Sequence, residues 1–298
     1  MESAQIKIKQ YSGLIESALD GFFPEIKEEH KTISDAARYS LLAGGKRIRP
    51  VLCLITGALF KAPEEDLLPF ACAIEMIHTF SLIHDDLPGM DNDDYRRGKP
   101  TSHKIFGEGI AILAGDALIN KAYEIMISNC IAFPKKGKLE AMYAICRATG
   151  DHGMIGGQVI DLESEHKTIG RPLLEKLHSM KTGALIKAPV TAACHVGQAD
   201  VHIFRILEDY ADSIGLAFQI KDDILDVTAS SEKIGKTAGK DEKSEKSTYV
   251  SLYGLEKSKE LLADIIKKAF IQLDELKYQG YDIDELYELT EYLFKREN

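Results

Sequence analysis

Leu207, Ala211, Ile214 and Phe218 recur at steps of three and four, and Asp222 and Asp226 extend the same line. That period marks one face of an α-helix. The stripe is apolar until it ends in two carboxylates, so the helix must face inward along its length and open to water at one end. Ile74, His78, Ser81 and Asp85 repeat the pattern earlier in the chain. Sustained period-two alternation between hairpin turns is absent, which excludes a sheet-based fold. Gly44-Gly45 stands where a helix should stop, and Pro50 suits the first turn of the next. Breaks fall near 21–31, 44–50, 61–69, 87–101, 132–137, 150–157, 167–172, 195–200, 228–247 and 278–282. No fixed-period repeat and no linker is present. The expectation is one all-α domain over residues 1–298, a bundle of about ten to twelve helices around a central cavity and helix pair.

Composition narrows the function. Of 298 residues, 45% are hydrophobic and 28% charged, an ordinary globular balance. Net charge is -10 and no Lys/Arg block occurs, which argues against nucleic-acid binding. No apolar stretch approaches the roughly 20 residues that span a bilayer, and "MESAQIKIKQYSG" has no apolar core of a secretory signal. Cys53, Cys72, Cys130, Cys146 and Cys194 are odd in number and form no CxxC pair. They are expected as reduced thiols in a cytoplasmic protein.

Two acidic clusters carry the chemistry. In "DDILD", Asp222 and Asp226 lie four apart and stack on one helix face, with Asp223 beside them. A hard oxygen site of this kind suits Mg²⁺, with water and substrate phosphate completing the shell. In "DDLPGMDNDD", five carboxylates crowd into ten residues after an apolar helix. Either water screens them on a surface loop or a cation belongs there. Asp91 is six residues from Asp85, so an ideal helix would turn it away. Pro88-Gly89 should break the helix and bring Asp91 back beside Asp85. Facing each other, the clusters could hold several ions around one polyphosphate.

Such a phosphate also needs protein cations. Lys46, Arg47 and Arg49 follow a helix end, Arg96-Arg97 follow the first acidic cluster, and Lys181-Thr182 sit in an apolar context. The lysine-rich segment 228–247 reads as a solvated loop. Its "GKT" at 235–237 is no P-loop, because Ser230 stands where glycine is required and no strand precedes it.

These residues resemble the trans-isoprenyl diphosphate synthases. "DDLPGMD" looks like their first aspartate-rich motif and "DDILD" like their second. "GGKRIRP", "RRGKPTSH", "GQVIDL", "KTGAL" and "FQIKDD" match further blocks in the right order from about residue 35 to 250. The resemblance implies head-to-tail condensation of isopentenyl diphosphate with an allylic diphosphate. The allylic C–O bond ionises, the isopentenyl double bond attacks the cation, and a proton leaves to the departing diphosphate. Charge separation sets the barrier, so catalysis would be mainly electrostatic.

By the same resemblance, roughly three Mg²⁺ per site would be held by Asp85, Asp91 and Asp222, with Asp86, Asp223 and Asp226 as ligands or support. Arg96, Lys181 and Lys246 would grip the allylic diphosphate. Lys46, Arg49, His78 and Arg97 would bind isopentenyl diphosphate, although a histidine on a helix face can also be simple core packing. Thr182 and Gln219 would present oxygens to the cationic carbon, and Gln158 and Asp161 would line the cavity. Lys236, or else Lys240, would close over the diphosphate, with Lys295 and Arg296 near the mouth.

Phe80 lies five residues before Asp85, about 7.5 Å lower on the helix, and Ser81 lies one turn below. In the family a bulky residue at that position floors the cavity, which favours farnesyl over geranylgeranyl diphosphate. The other readings are a neighbouring helix that sets the length, a terpene cyclase, and a non-catalytic partner subunit. The basic "GGKRIRP" and Arg97 argue against a cyclase, and the intact acidic clusters against a partner subunit. Homodimers are the family habit.

Overall fold

The computed structural model describes residues 2–228 and 247–295, with side chains from residue 7 to residue 294 of those ranges. The architecture is all-α. Among the described residues twelve helices have eight residues or more. They begin with α1 (Glu2–Phe22), α2 (Lys31–Leu41), α3 (Ile48–Ala58) and α4 (Glu64–Asp85). A two-residue hairpin, Tyr95–Arg96 against Lys99–Pro100, follows α4. Its turn residues Arg97 and Gly98 have φ of 52° and 73°, the left-handed pair that a tight hairpin demands. The chain continues through α5 (Ser102–Phe106), α6 (Glu108–Ala132), α7 (Lys138–Thr149), α8 (Met154–Ser164) and α9 (Arg171–His178). A π-helical turn, Ser179–Gly183, joins α9 to α10 (Ala184–Val196). Then come α11 (Val201–Thr228), α12 (Tyr249–Tyr253), α13 (Leu255–Tyr278) and α14 (Asp284–Lys295).

The core is built around α4. Leu67, Phe70, Ile74, Met76, Ile77 and Ile83 are all buried, because α3, α6 and α10 pack on it from different sides. Helix α10 is enclosed in the same way by α3, α4, α7 and α11. These two correspond to the expected central pair. Helix α4 is long and mostly buried, with His78, Ser81 and Asp85 half-buried along one face. Its apolar length corrects one expectation from the sequence. At 22 residues, α4 is long and apolar enough to cross a membrane, the only such helix among the described residues. Here its apolar surface is covered by other helices rather than by lipid.

Helix α4 also starts inside the expected break over 61–69, at Glu64. Glu64, Glu65 and Asp66 occupy its first turn, where carboxylates complement the helix dipole, and Pro69 is accommodated inside it. The expected stop after α2 is present: Gly44 and Gly45 both have positive φ, which glycine adopts at little cost. All five cysteines are free, and Cys53, Cys72 and Cys194 are buried.

Candidate active site

Helix α4 delivers Asp85 at its last position. Beyond it the chain turns back on itself. Asn92 donates its backbone N–H to Leu87 O at 3.1 Å, and Asp91 donates to Asp85 O at 2.9 Å. The turn through Pro88-Gly89 thus brings the Asp91 backbone back to Asp85.

Helix α8 and the π turn close on the same carboxylate. Gln158 donates Nε2 to Asp85 Oδ1 at 2.7 Å. Lys181 donates Nζ to Asp161 Oδ2 at 2.6 Å and lies 3.8 Å from Asp85 Oδ1. Four expected residues from three separated segments therefore form one cluster. Their approach depends on Gly157, where a Cβ would stand 2.2 Å from the Lys181 backbone nitrogen. The π turn carrying Lys181 and Thr182 was not expected. Such single turns of wider helix recur at functional sites because they redirect side chains from the regular face.

Helix α11 supplies the second wall. A Cβ on Gly215 would stand 3.3 Å from Gly183 Cα, so α11 runs tight against the π turn, one helical turn before Gln219. Gln219 is half-buried, Asp222 exposed and Asp226 half-buried. The charge of Asp222 acts on Arg49, whose Nη1 lies 3.3 Å from His78 Nε2 on α4. Asp222 is thus within electrostatic reach of the basic group that packs on α4. Among the described residues, no group of three or more carboxylate, histidine or cysteine side chains is placed to hold a metal ion by itself.

Two carboxylates expected as metal ligands or support make other contacts here. Asp86 is buried and takes three hydrogen bonds from Arg96, two from Nε at 2.8 Å and one from Nη2 at 2.5 Å. Arg96 also lies 3.6 Å from Asp93. Arg96, expected to grip the allylic diphosphate, is here paired with the first acidic cluster. Asp223 is buried and accepts the Tyr249 N–H at 2.7 Å, at the start of α12. Both faced inward because they sit one residue beyond Asp85 and Asp222, a rotation of about 100° on a helix. Lys236, Lys240, Lys246 and Arg296 lie outside the described residues, as does the side chain of Lys295.

Arg49, His78 and Arg97 form the lower basic group, and Lys46, three residues before Arg49, is exposed. Burial holds His78 well below the ordinary histidine range, and Arg49, Arg97, Arg96 and Arg47 push it further down. The imidazole is neutral, and its Nε2 is the acceptor because a guanidinium can only donate. Arg97 donates Nη1 to Gly44 O, which fastens the hairpin to the glycine turn before α3.

A family model described as "Polyprenyl synthetase" matches residues 30–281. The chain belongs to the polyprenyl synthetase family. This polyprenyl synthetase is 46% identical over 272 residues to a farnesyl diphosphate synthase of Geobacillus stearothermophilus, covering 89% of this chain and 91% of that one. It is 47% identical over 272 residues to geranylgeranyl pyrophosphate synthase 7, chloroplastic, of Arabidopsis thaliana, covering 89% and 77%. A crystal structure of a geranyltransferase from Helicobacter pylori, complexed with magnesium and isoprenyl diphosphate, superposes with a TM-score of 0.87 at 32% identity over 97% of both chains. The chain is a prenyltransferase.

In this polyprenyl synthetase Phe80 is buried below the mouth, its ring edge-on to His84 at 4.8 Å. His84 Nε2 lies 3.0 Å from Ile112 O on α6, and Gly115 makes room for its ring. Ser81 donates to His78 O at 2.8 Å. Sequence reading passed over Glu75 and His178. Glu75 had left a signal, a lone carboxylate inside the apolar run "ACAIEMIH". His178, last residue of α9, packs on Tyr249 at 5.5 Å and is pushed down to about 4, chiefly by burial.

Proposed function

We propose that this prenyltransferase condenses isopentenyl diphosphate with dimethylallyl diphosphate and then geranyl diphosphate, head to tail, to give farnesyl diphosphate. The observation that carries this reading is vertical order along α4. Asp85 with Gln158 and Lys181 stands at the mouth, His78 with Arg49 lies two turns below, and Phe80 is buried on an adjacent face.

Asp85, Asp91, Asp222 and Asp226 fit Mg²⁺. All four are hard oxygen donors with exposed or half-buried carboxylates, and an open site with few protein ligands leaves positions for substrate phosphate. The ions would supply Lewis-acid neutralisation of the leaving diphosphate. Lys181, steadied by Asp161, adds a positive charge on the same side. Thr182 and Gln219 present oxygens to the allylic carbon as its bond to oxygen breaks. Arg49 and Arg97 hold the second diphosphate below, with neutral His78 orienting Arg49. The decisive experiment incubates the purified protein with Mg²⁺, isopentenyl and dimethylallyl diphosphates and identifies the products by mass. A dominant C15 product supports the assignment, and no prenyl product refutes it.

A second reading, geranylgeranyl diphosphate as product, is favoured by the 47% identity to a relative of that name. The same assay separates the two by product length. Pairing with a second copy is supported by Leu113, Ile127 and Ile131 on α6, with Leu139 and Tyr143 on α7, all exposed apolar side chains. Sedimentation of the wild-type protein against Leu113→Asp tests it. A cytoplasmic location is supported by the five free cysteines.

A further inference from the structure

Arg47 is the residue of "GGKRIRP" that no substrate role absorbs. It is 2% exposed, and its φ of 49° places it in the left-handed region just before α3. A non-glycine side chain there is held by its surroundings. Nη1 donates to Glu75 Oε1 at 2.6 Å, Nη2 donates to Leu41 O at 2.6 Å, and Glu16 lies 3.7 Å from Nε. Glu75 is also 2% exposed and precedes His78 by one turn on α4.

The pair therefore ties three elements together. It joins the end of α2 to the turn before α3 and to the middle of α4. On either side of Arg47 stand Lys46, exposed, and Arg49, in contact with His78. The left-handed bend at Arg47 lies between those two neighbours, one exposed to water and one set against His78. Glu75 has a second effect. It is the foremost favourable charge on both Arg49 and Arg97, offsetting the burial that disfavours their cationic forms. A cluster of guanidiniums packed together repels itself unless an anion lies beneath it.

We infer that the buried Arg47–Glu75 pair is a positioning device for the lower diphosphate subsite, setting Lys46, Arg49, His78 and Arg97 for isopentenyl diphosphate and leaving the allylic subsite to Asp85 and Lys181. This rests on the proposed condensation. Arg47 touches no substrate in this assignment. It acts through the geometry of its neighbours.

Steady-state kinetics with each substrate varied in turn distinguishes positioning from general structure. The variants are Arg47→Lys and the neutral pair Arg47→Met with Glu75→Leu, the latter removing both buried charges together so that neither is left alone. In the neutral pair, KM for isopentenyl diphosphate rises roughly tenfold or more while KM for geranyl diphosphate stays within about twofold. Arg47→Lys keeps the charge but loses the fork, and falls between. It carries the test if the neutral pair does not fold. Folded variants whose KM for isopentenyl diphosphate is unchanged, or whose two KM values rise together, overturn the inference. A wild-type protein that makes no prenyl product overturns the proposed function, and this inference with it.

Discussion

Gln158 and Asp85 are 73 residues apart in the chain and 2.7 Å apart in space, joined by an amide-to-carboxylate hydrogen bond. Asp85 Oδ1 is held by Gln158 and faced by Lys181. Groups that orient a metal-binding carboxylate set its affinity. Gln158→Ala is expected to raise the Mg²⁺ concentration for half-maximal activity by about tenfold, with a smaller change in KM for isopentenyl diphosphate. Activity titrated against Mg²⁺ checks this, and an unchanged Mg²⁺ requirement removes Gln158 from the role.

Gly157 is the point of closest approach between α8 and the π turn. An added Cβ meets backbone, the Lys181 nitrogen at 2.2 Å and its Cα at 2.6 Å, and backbone cannot rotate aside. Gly157→Ala should displace Lys181 and lower kcat by about a hundredfold. Gly13→Ala, where nothing lies within 4 Å, is the control. Equal activities in the two variants would show that the close approach is not needed.

Phe80 is buried and rests edge-on against His84. Trimming it opens space beneath the mouth. Phe80→Ala should lengthen the prenyl products, from the proposed C15 toward C20 or longer, at a stability cost of about 3 kcal/mol. Mass analysis of products, with a melting curve alongside, reads both effects. Unaltered chain length would assign the floor to another helix.

His178 gives the fold an acid sensitivity. Its folded pKa is depressed from 6.5 to about 4, mainly by burial. A depressed value means that the folded state binds fewer protons than the unfolded state across that window. Its contribution is fully present above pH 6.5 and is lost as pH falls toward 4. Urea midpoints measured from pH 7 to 4 should therefore decline less steeply in His178→Phe than in wild type. Parallel curves would exclude His178 as a source of the acid response.

The acidic walls were legible because they use local geometry. Asp222 and Asp226 are one turn apart whatever surrounds them, and a Pro-Gly pair breaks a helix in any context. The fates of Asp86 and Asp223 were not legible in that way. Each carries the same side chain as its neighbour, and only the partner it meets, Arg96 ten residues on or Tyr249 twenty-six residues on, makes it structural. The apolar length of α4 was missed for a different reason, because Glu75, His78 and Ser81 interrupt its run in the sequence.

Periodicity alone dictated an all-helical chain with carboxylates at the ends of two inward stripes, because the 3.6-residue repeat follows from backbone geometry and from excluding water from apolar side chains. Packing dictated which polar groups are left to act. Lys181 reaches Asp85 through a π turn and a glycine contact, and Arg47 meets Glu75 across 28 residues of chain. Those pairings depend on how helices close against one another in three dimensions, a relation that no spacing along the chain encodes.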